Sequence, residues 1–213
     1  MSQYHQSLAE EIANSITCGI GFCLSIAGLV TLVVSASLHG DVHRVVSFSI
    51  YGASLTLLYL ISTLYHALQC RRAKHVFEIM DHSAVYVLIA GTYTPFTLVT
   101  LRGAWGWSLF GVVWSLAVFG IVFKLFHVKR FKVFSNIIYL AMGWLVVIAI
   151  QPMIKALPLG AIAWLLAGGL LYSSGVLFYA NEKLPFSHAV WHLFVLGGSL
   201  CHFISIFFYV LPI

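Results

Sequence analysis

The stretch SHAVWHLFVLGGSLCHF, residues 187–203, opens the last apolar run of the chain and sets His188 and His192 four residues apart. On a helix that spacing is one turn, so both imidazoles share a face, about 6 Å apart. Ionisable groups at bilayer depth are costly and mark functional positions. The pair supports two readings at this point: two of the three protein ligands of a metal site, or interfacial histidines bonded to neighbouring helices.

Whether residues 187–203 lie in a membrane is decided by the rest of the chain. Of 213 residues, 61% are hydrophobic and only 8% charged, against about 25% charged in soluble domains. That composition excludes an ordinary soluble fold and predicts an integral membrane protein. The length accommodates about seven helical spans of ~20 residues joined by short loops. The apolar runs fall at roughly 16–37, 45–67, 82–101, 107–126, 133–152, 159–180 and 190–211. The expected fold is an all-α seven-transmembrane-helix bundle over residues 16–213, preceded by a short cytoplasmic N-terminal segment, 1–15. That segment, MSQYHQSLAEEIANS, lacks the basic n-region of a signal peptide. Ser7 and Glu10 have the spacing of a capping box, which predicts a short amphipathic helix there. Cys18, Cys23, Cys70 and Cys201 show no paired spacing, which argues against a disulfide framework and fits small core residues.

Loop charge gives the orientation. Arg71, Arg72, Lys74, Lys129, Arg130, Lys132 and Lys183 lie in loops on the N-terminal side, and only Arg44, Arg102 and Lys155 lie opposite. Positive-inside bias then places the N-terminus in the cytoplasm and the C-terminus outside. The net charge of +5 is thereby a topology signal, and no nucleic-acid partner is called for.

This topology makes three distant segments converge. Span two runs inward and ends at His66, span three starts from the same side at Asp81, and span seven starts there at His188 and His192. His66 sits at a matching depth. Ser62 precedes His66 by one turn and shares its face; its hydroxyl either joins the site or bonds back to a carbonyl of its own helix. Asp81 is either a helix cap or a carboxylate serving adjacent metal ligands as support or base.

The remaining polar positions have structural readings. His202 lies about 15 Å beyond His192 along the helix, too far for the same ion, and lines a cavity or bonds a neighbouring helix. Lys124 can snorkel to the cytoplasmic interface. Asn136, Ser173 and Ser174 suit bonds between helices. Gly91 and Pro95 predict a bend in span three that opens a cavity above the imidazoles. Trp105, Trp107 and Tyr209 suit the outer aromatic belt, and Gly168, Gly169, Gly197 and Gly198 suit close helix contacts.

Three neutral imidazoles with an open fourth position are the shell of a catalytic zinc site, whereas structural sites usually close the shell with four protein ligands. Imidazole also suits copper, iron and nickel, so Zn2+ is an inference from chemistry. A zinc-bound water loses its proton near neutral pH, with Asp81 placed to accept it and Ser62 to steady the water or the oxyanion. With substrate arriving from the bilayer, the residues suggest hydrolysis of a lipid amide or ester.

The sequence also resembles the bacterial hemolysin III family, related to the progestin and adipoQ receptors and more distantly to the alkaline ceramidases. The motifs are SLAEEIANS (7–15), STLYHA (62–67), DHSAVYVLIAGTYTPF (81–96), AMGWL (141–145) and SHAVWHLFVLGGSLCHF (187–203). The resemblance implies a seven-helix bundle in the bacterial inner membrane, zinc held near the cytoplasmic side by His66, His188 and His192, and Asp81 supporting the water with Ser62 as accessory. It leaves three functions open: a ceramidase-like hydrolase, a receptor-like regulator with a structural zinc, or, last, a cytolysin. The last conflicts with a polytopic chain that has a basic inner face and no continuous polar stripe. The expected partners are membrane lipids.

Overall fold

The computed structural model describes residues 6–127, 132–181 and 183–211, except the side chains of His127, Lys132 and Val133. Lys129 and Arg130, two of the charges used for orientation, lie outside the described residues. The described chain is helical, without strands: α1 (Leu8–His39), α2 (Val42–Ala67), α3 (Arg71–Pro95), α4 (Ala104–His127), α5 (Lys132–Gly143), α6 (Ile150–Ala156), α7 (Leu159–Ala180) and α8 (Ser187–Ser205). A short 3-10 segment, Leu145–Ala149, joins α5 and α6 into one span, and π-helical turns extend α3 through Thr100 and α8 through Val210. Seven of the resulting helices are long and apolar enough to cross a membrane, so the protein is a seven-span membrane protein.

The spans do not share the interior equally. Among their most apolar residues, 56% in α2, 61% in α3 and 44% in α8 are buried against other helices, compared with 22% or less in the other four spans. The three inner helices carry the residues singled out above. A span ringed by protein has no lipid to satisfy, so it tolerates the Ser, Thr, Tyr, His and Asp that an outer helix could bear only at the cost of polar groups in hydrocarbon.

Two helix starts differ from the apolar pattern. The capping box forms: the Ser7 hydroxyl accepts from the Glu10 backbone N–H at 3.3 Å, and the Ser7 N–H donates to Glu10 Oε2 at 2.7 Å. It does not begin a separate amphipathic helix, however, because α1 runs unbroken from Leu8 into the first span. Likewise α3 begins at Arg71, so Asp81 lies three turns inside the helix rather than at its cap. Its role as a capping or dipole partner therefore falls away.

Pro95 has no N–H for the next ladder bond. After it the helix widens, with Leu101 N–H donating to Phe96 O at 2.8 Å over five residues. Gly91 serves a different end, the close approach of α3 to α2. A Cβ there would lie 2.1 Å from Ser54 Oγ and 2.7 Å from Ser54 Cβ. Gly91→Ala is therefore expected to lower stability by about 1–3 kcal/mol, the cost of overpacking, read as a fall in the thermal midpoint of the purified protein. An unchanged midpoint would show that α2 and α3 have room to separate.

Lys124 departs from its expected place. It is 1% exposed, so it does not snorkel along a lipid-facing surface. Gly120, one turn earlier on the same face, receives the Tyr86 ring where a Cβ would come within 2.3 Å of it. That close α3–α4 approach encloses the lysine. Cys18 and Cys201 are buried as expected of small core residues, but Cys23 and Cys70 are exposed, Cys23 on the outer face of α1 and Cys70 at the N-cap of α3. At the end of the bundle opposite Ser7, Asp41 caps α2 by accepting from Arg44 N–H at 2.9 Å, and it also pairs with the Arg102 side chain. The Arg44 backbone bond, followed by Arg102, holds the Asp41 carboxyl below its usual range.

Candidate metal centre

The last turns of α2 and the first turns of α8 meet at one end of the bundle. Ser62 and His66 project from one face of α2, 4% and 3% exposed. On α8, His188 and His192 lie with ring centroids 4.6 Å apart, and the His66 ring stands 5.0 and 5.2 Å from them. One nitrogen from each ring lies within 4.8 Å of the others, so the three can hold a metal ion.

The bonds behind His66 say which nitrogen faces the centre. Nδ1 lies 2.8 Å from Glu11 Oε2. An ionised carboxylate can only accept, so Nδ1 carries the proton and the Nε2 lone pair points inward. Lys74 binds the other Glu11 oxygen, and Asn14, fully buried, approaches Nδ1 at 3.5 Å. A carboxylate that fixes the tautomer of a ligating histidine is the usual support of a metal site. His66 Nε2 is 3.2 Å from His192 Nε2, close to the roughly 3.3 Å edge of a tetrahedron whose nitrogens stand about 2.0–2.1 Å from the metal. The residues present fit a metal of that coordination.

The α8 entry is set by α1 as well. Phe186, in the left-handed conformation at φ 56°, precedes α8, and its N–H donates to Glu10 Oε1 at 3.0 Å. The strained residue is thus held by a carboxylate, and α1 clamps both helices that supply imidazoles.

Asp81 and Ser62 meet each other: the Ser62 hydroxyl donates to Asp81 Oδ1. A serine has a single proton to give. With it directed at Asp81, Ser62 holds the carboxylate in place instead of bonding back to its own helix or donating to a reacting oxygen. Asp81, 8% exposed, shares a cavity of about 140 Å³ with Ser62, His188 and His192. The cavity runs inward past Tyr93 and Trp144 to His202, so the expected space above the imidazoles exists and His202 borders it. A smaller cavity of about 60 Å³ borders Thr92, Tyr93, Trp144 and His202 and continues beyond them to Leu101.

Three participants were not singled out from the sequence: Glu11, Asn14 and His82. Glu11 and Asn14 have only a collective signal, a polar start of α1 that they share with Glu10 and Ser15 and that does not say which residue faces α2. His82 has a weaker one, its position next to Asp81; its Nδ1 donates to Glu78 O at 2.9 Å, and Tyr179 Oη lies 3.4 Å from its Nε2. Glu11→Gln keeps the shape but weakens the hold on the Nδ1 proton. It is expected to reduce metal affinity by about 10–100-fold, measured by competition with a calibrated chelator; an unchanged affinity would remove Glu11 from the site.

Comparison with known proteins identifies the family. The chain is 53% identical over 212 residues to "Hemolysin-3" of Bacillus cereus, covering 100% of this chain and 97% of that one. It is 51% identical over 207 residues to "Hemolysin-3 homolog" of Bacillus subtilis (strain 168), covering 97% of each. At greater distance it is 28% identical over 217 residues to "Monocyte to macrophage differentiation factor" of Homo sapiens, 98% of this chain and 87% of that protein. No solved structure matches. The sequence model of the family described as "Haemolysin-III related" matches residues 6–203, a span that includes Glu11 and every residue of the candidate centre. The chain belongs to the haemolysin-III-related family of multi-pass membrane proteins.

Proposed function

We propose that the protein is a zinc-dependent intramembrane hydrolase acting on an amide or ester of a membrane lipid. The carrying observation is the convergence of three imidazoles beside a mainly apolar cavity, walled by α2, α3, α5, α7 and α8, that His188, His192 and the buried Asp81 border. His66, His188 and His192 would hold the zinc, which when bound acidifies water and polarises a carbonyl. Asp81 accepts a proton at Oδ2, because Oδ1 is engaged by Ser62. The apolar walls take the acyl chain and keep bulk water from the reacting group.

The loop charges support a cytoplasmic N-terminus in a bacterial inner membrane, with the centre near the cytoplasmic face and lipid arriving laterally. The test is incubation of purified protein with a panel of lipid amides and esters, with and without chelator. The expected result is turnover of at least one lipid, abolished by chelator and restored by zinc. Absence of metal-dependent turnover across the panel would overturn the proposal.

A second reading has its own support. The imidazoles join α2 to α8 while Glu10 and Glu11 join both to α1, so an ion there would also brace the bundle of a non-catalytic regulator. The names of the relatives, a hemolysin and a differentiation factor, describe effects on cells rather than chemistry.

A further inference from the structure

The larger cavity has a polar middle that the histidine centre does not use. His202 lies on α8 about 15 Å beyond His192. Its Nδ1 is 2.8 Å from Gly198 O. A carbonyl can only accept, so Nδ1 carries the proton and Nε2 of the neutral ring is an acceptor. No described protein atom bonds Nε2, although the ring is only 9% exposed and borders both cavities. The ring lies over Gly168, where a Cβ would come within 2.1 Å of it, and packs against Tyr172 with centroids 5.3 Å apart.

The neighbouring protons can be traced one by one. Ser199 Oγ donates to Val195 O at 2.9 Å, so the tyrosines that reach it must donate: Tyr59 Oη at 3.1 Å and Tyr172 Oη at 2.9 Å. Thr92 donates to Leu88 O and Tyr93 to Gly143 O, both at 2.8 Å. Trp144 Nε1 donates to Ser173 Oγ, which donates onward to Gly169 O. Each of these described donors is committed within the protein. What remains open are acceptors: His202 Nε2 and the spare lone pairs of the Tyr59 and Tyr172 oxygens.

We propose that this acceptor-only shelf recognises a hydrogen-bond donor carried within the apolar chain of a lipid, a hydroxyl above all, and disfavours a carbonyl at the same position. A buried acceptor left unmatched is costly, so a chain that brings an O–H to the shelf gains a bond that a plain or keto chain cannot make. The inference concerns binding in the cavity and asks nothing of hydrolysis at the imidazoles.

The test uses the purified full chain in detergent micelles, with tryptophan fluorescence as readout because Trp144 and Trp191 line the cavity. The probes are stearate, monohydroxystearates with the hydroxyl at successive positions, and ketostearates with the carbonyl at those positions. Hydroxyls near mid-chain are expected to bind about three- to tenfold more tightly than stearate, and the matching ketones no more tightly than stearate. His202→Phe keeps a ring over Gly168 and is expected to erase the preference while stearate still binds; Tyr172→Phe is expected to reduce it. The ligand series on the unaltered protein decides by itself if the variants fail to fold. Equal binding of plain and hydroxylated chains, ketones matching hydroxyls, or no saturable binding of any chain would each overturn the proposal.

Discussion

Purified His188→Ala and His192→Ala proteins are expected to contain almost no bound metal, where the parent is expected to carry one ion per chain. Loss of a ligand from a three-imidazole shell should cost more than the ~10–100-fold in affinity that loss of a supporting residue costs. The stability effect follows by mass action. An ion at a hundredfold excess over its Kd stabilises the folded protein by about 2.7 kcal/mol, so the thermal midpoint should fall in each variant to that of the chelator-treated parent. Chelator should then have no further effect on the variants. The exposed His75 provides the control, since His75→Ala should keep both metal and midpoint. Elemental analysis checks the prediction, and undiminished metal in either α8 variant would dismantle the ligand assignment.

The seven spans were readable in the sequence because a hydrocarbon layer imposes a minimum apolar length whatever the tertiary structure does. The starts of α1 and α3 were not. Glu10, Glu11 and Asn14 at one, and Arg71, Arg72, Lys74, His75 and Glu78 at the other, are polar residues that extend a helix past its apolar run, and hydropathy sees only where apolar residues stop. The imidazoles were legible from the four-residue spacing in α8 combined with an alternation of direction that put His66 at the same end. Glu11 belongs to that centre equally, yet it arrives from α1, and no local pattern states which residue of α1 faces α2. Lys124 was misplaced for a similar reason: α4 is apolar nearly all round, so composition gives no indication that the face bearing Gly120 and Lys124 is the one turned toward α3.

Asp81→Asn is expected to separate the two readings of the site. The carboxamide has nearly the same shape and its oxygen can still accept from Ser62, so the α2–α3 contact survives. What it lacks is basicity. If Asp81 takes a proton during attack on a lipid carbonyl, turnover should fall by about 10²–10⁴-fold while bound metal stays at one ion per chain. Removing a carboxylate that is 8% exposed relieves a buried charge and need not lower the thermal midpoint, so a loss of turnover would not be a loss of fold. Ser62→Ala makes the complementary case. It leaves the base in place but releases Oδ1, and a bond to a charged group is worth about 1.5–3 kcal/mol, which predicts a loss of roughly 10–100-fold, smaller than that of Asp81→Asn. A regulator braced by its ion predicts a different pattern, with metal, midpoint and cellular function all unchanged in Asp81→Asn. Full turnover in that variant would remove Asp81 from the chemistry, and the ordering of the two losses tests whether Ser62 acts through the carboxylate it holds.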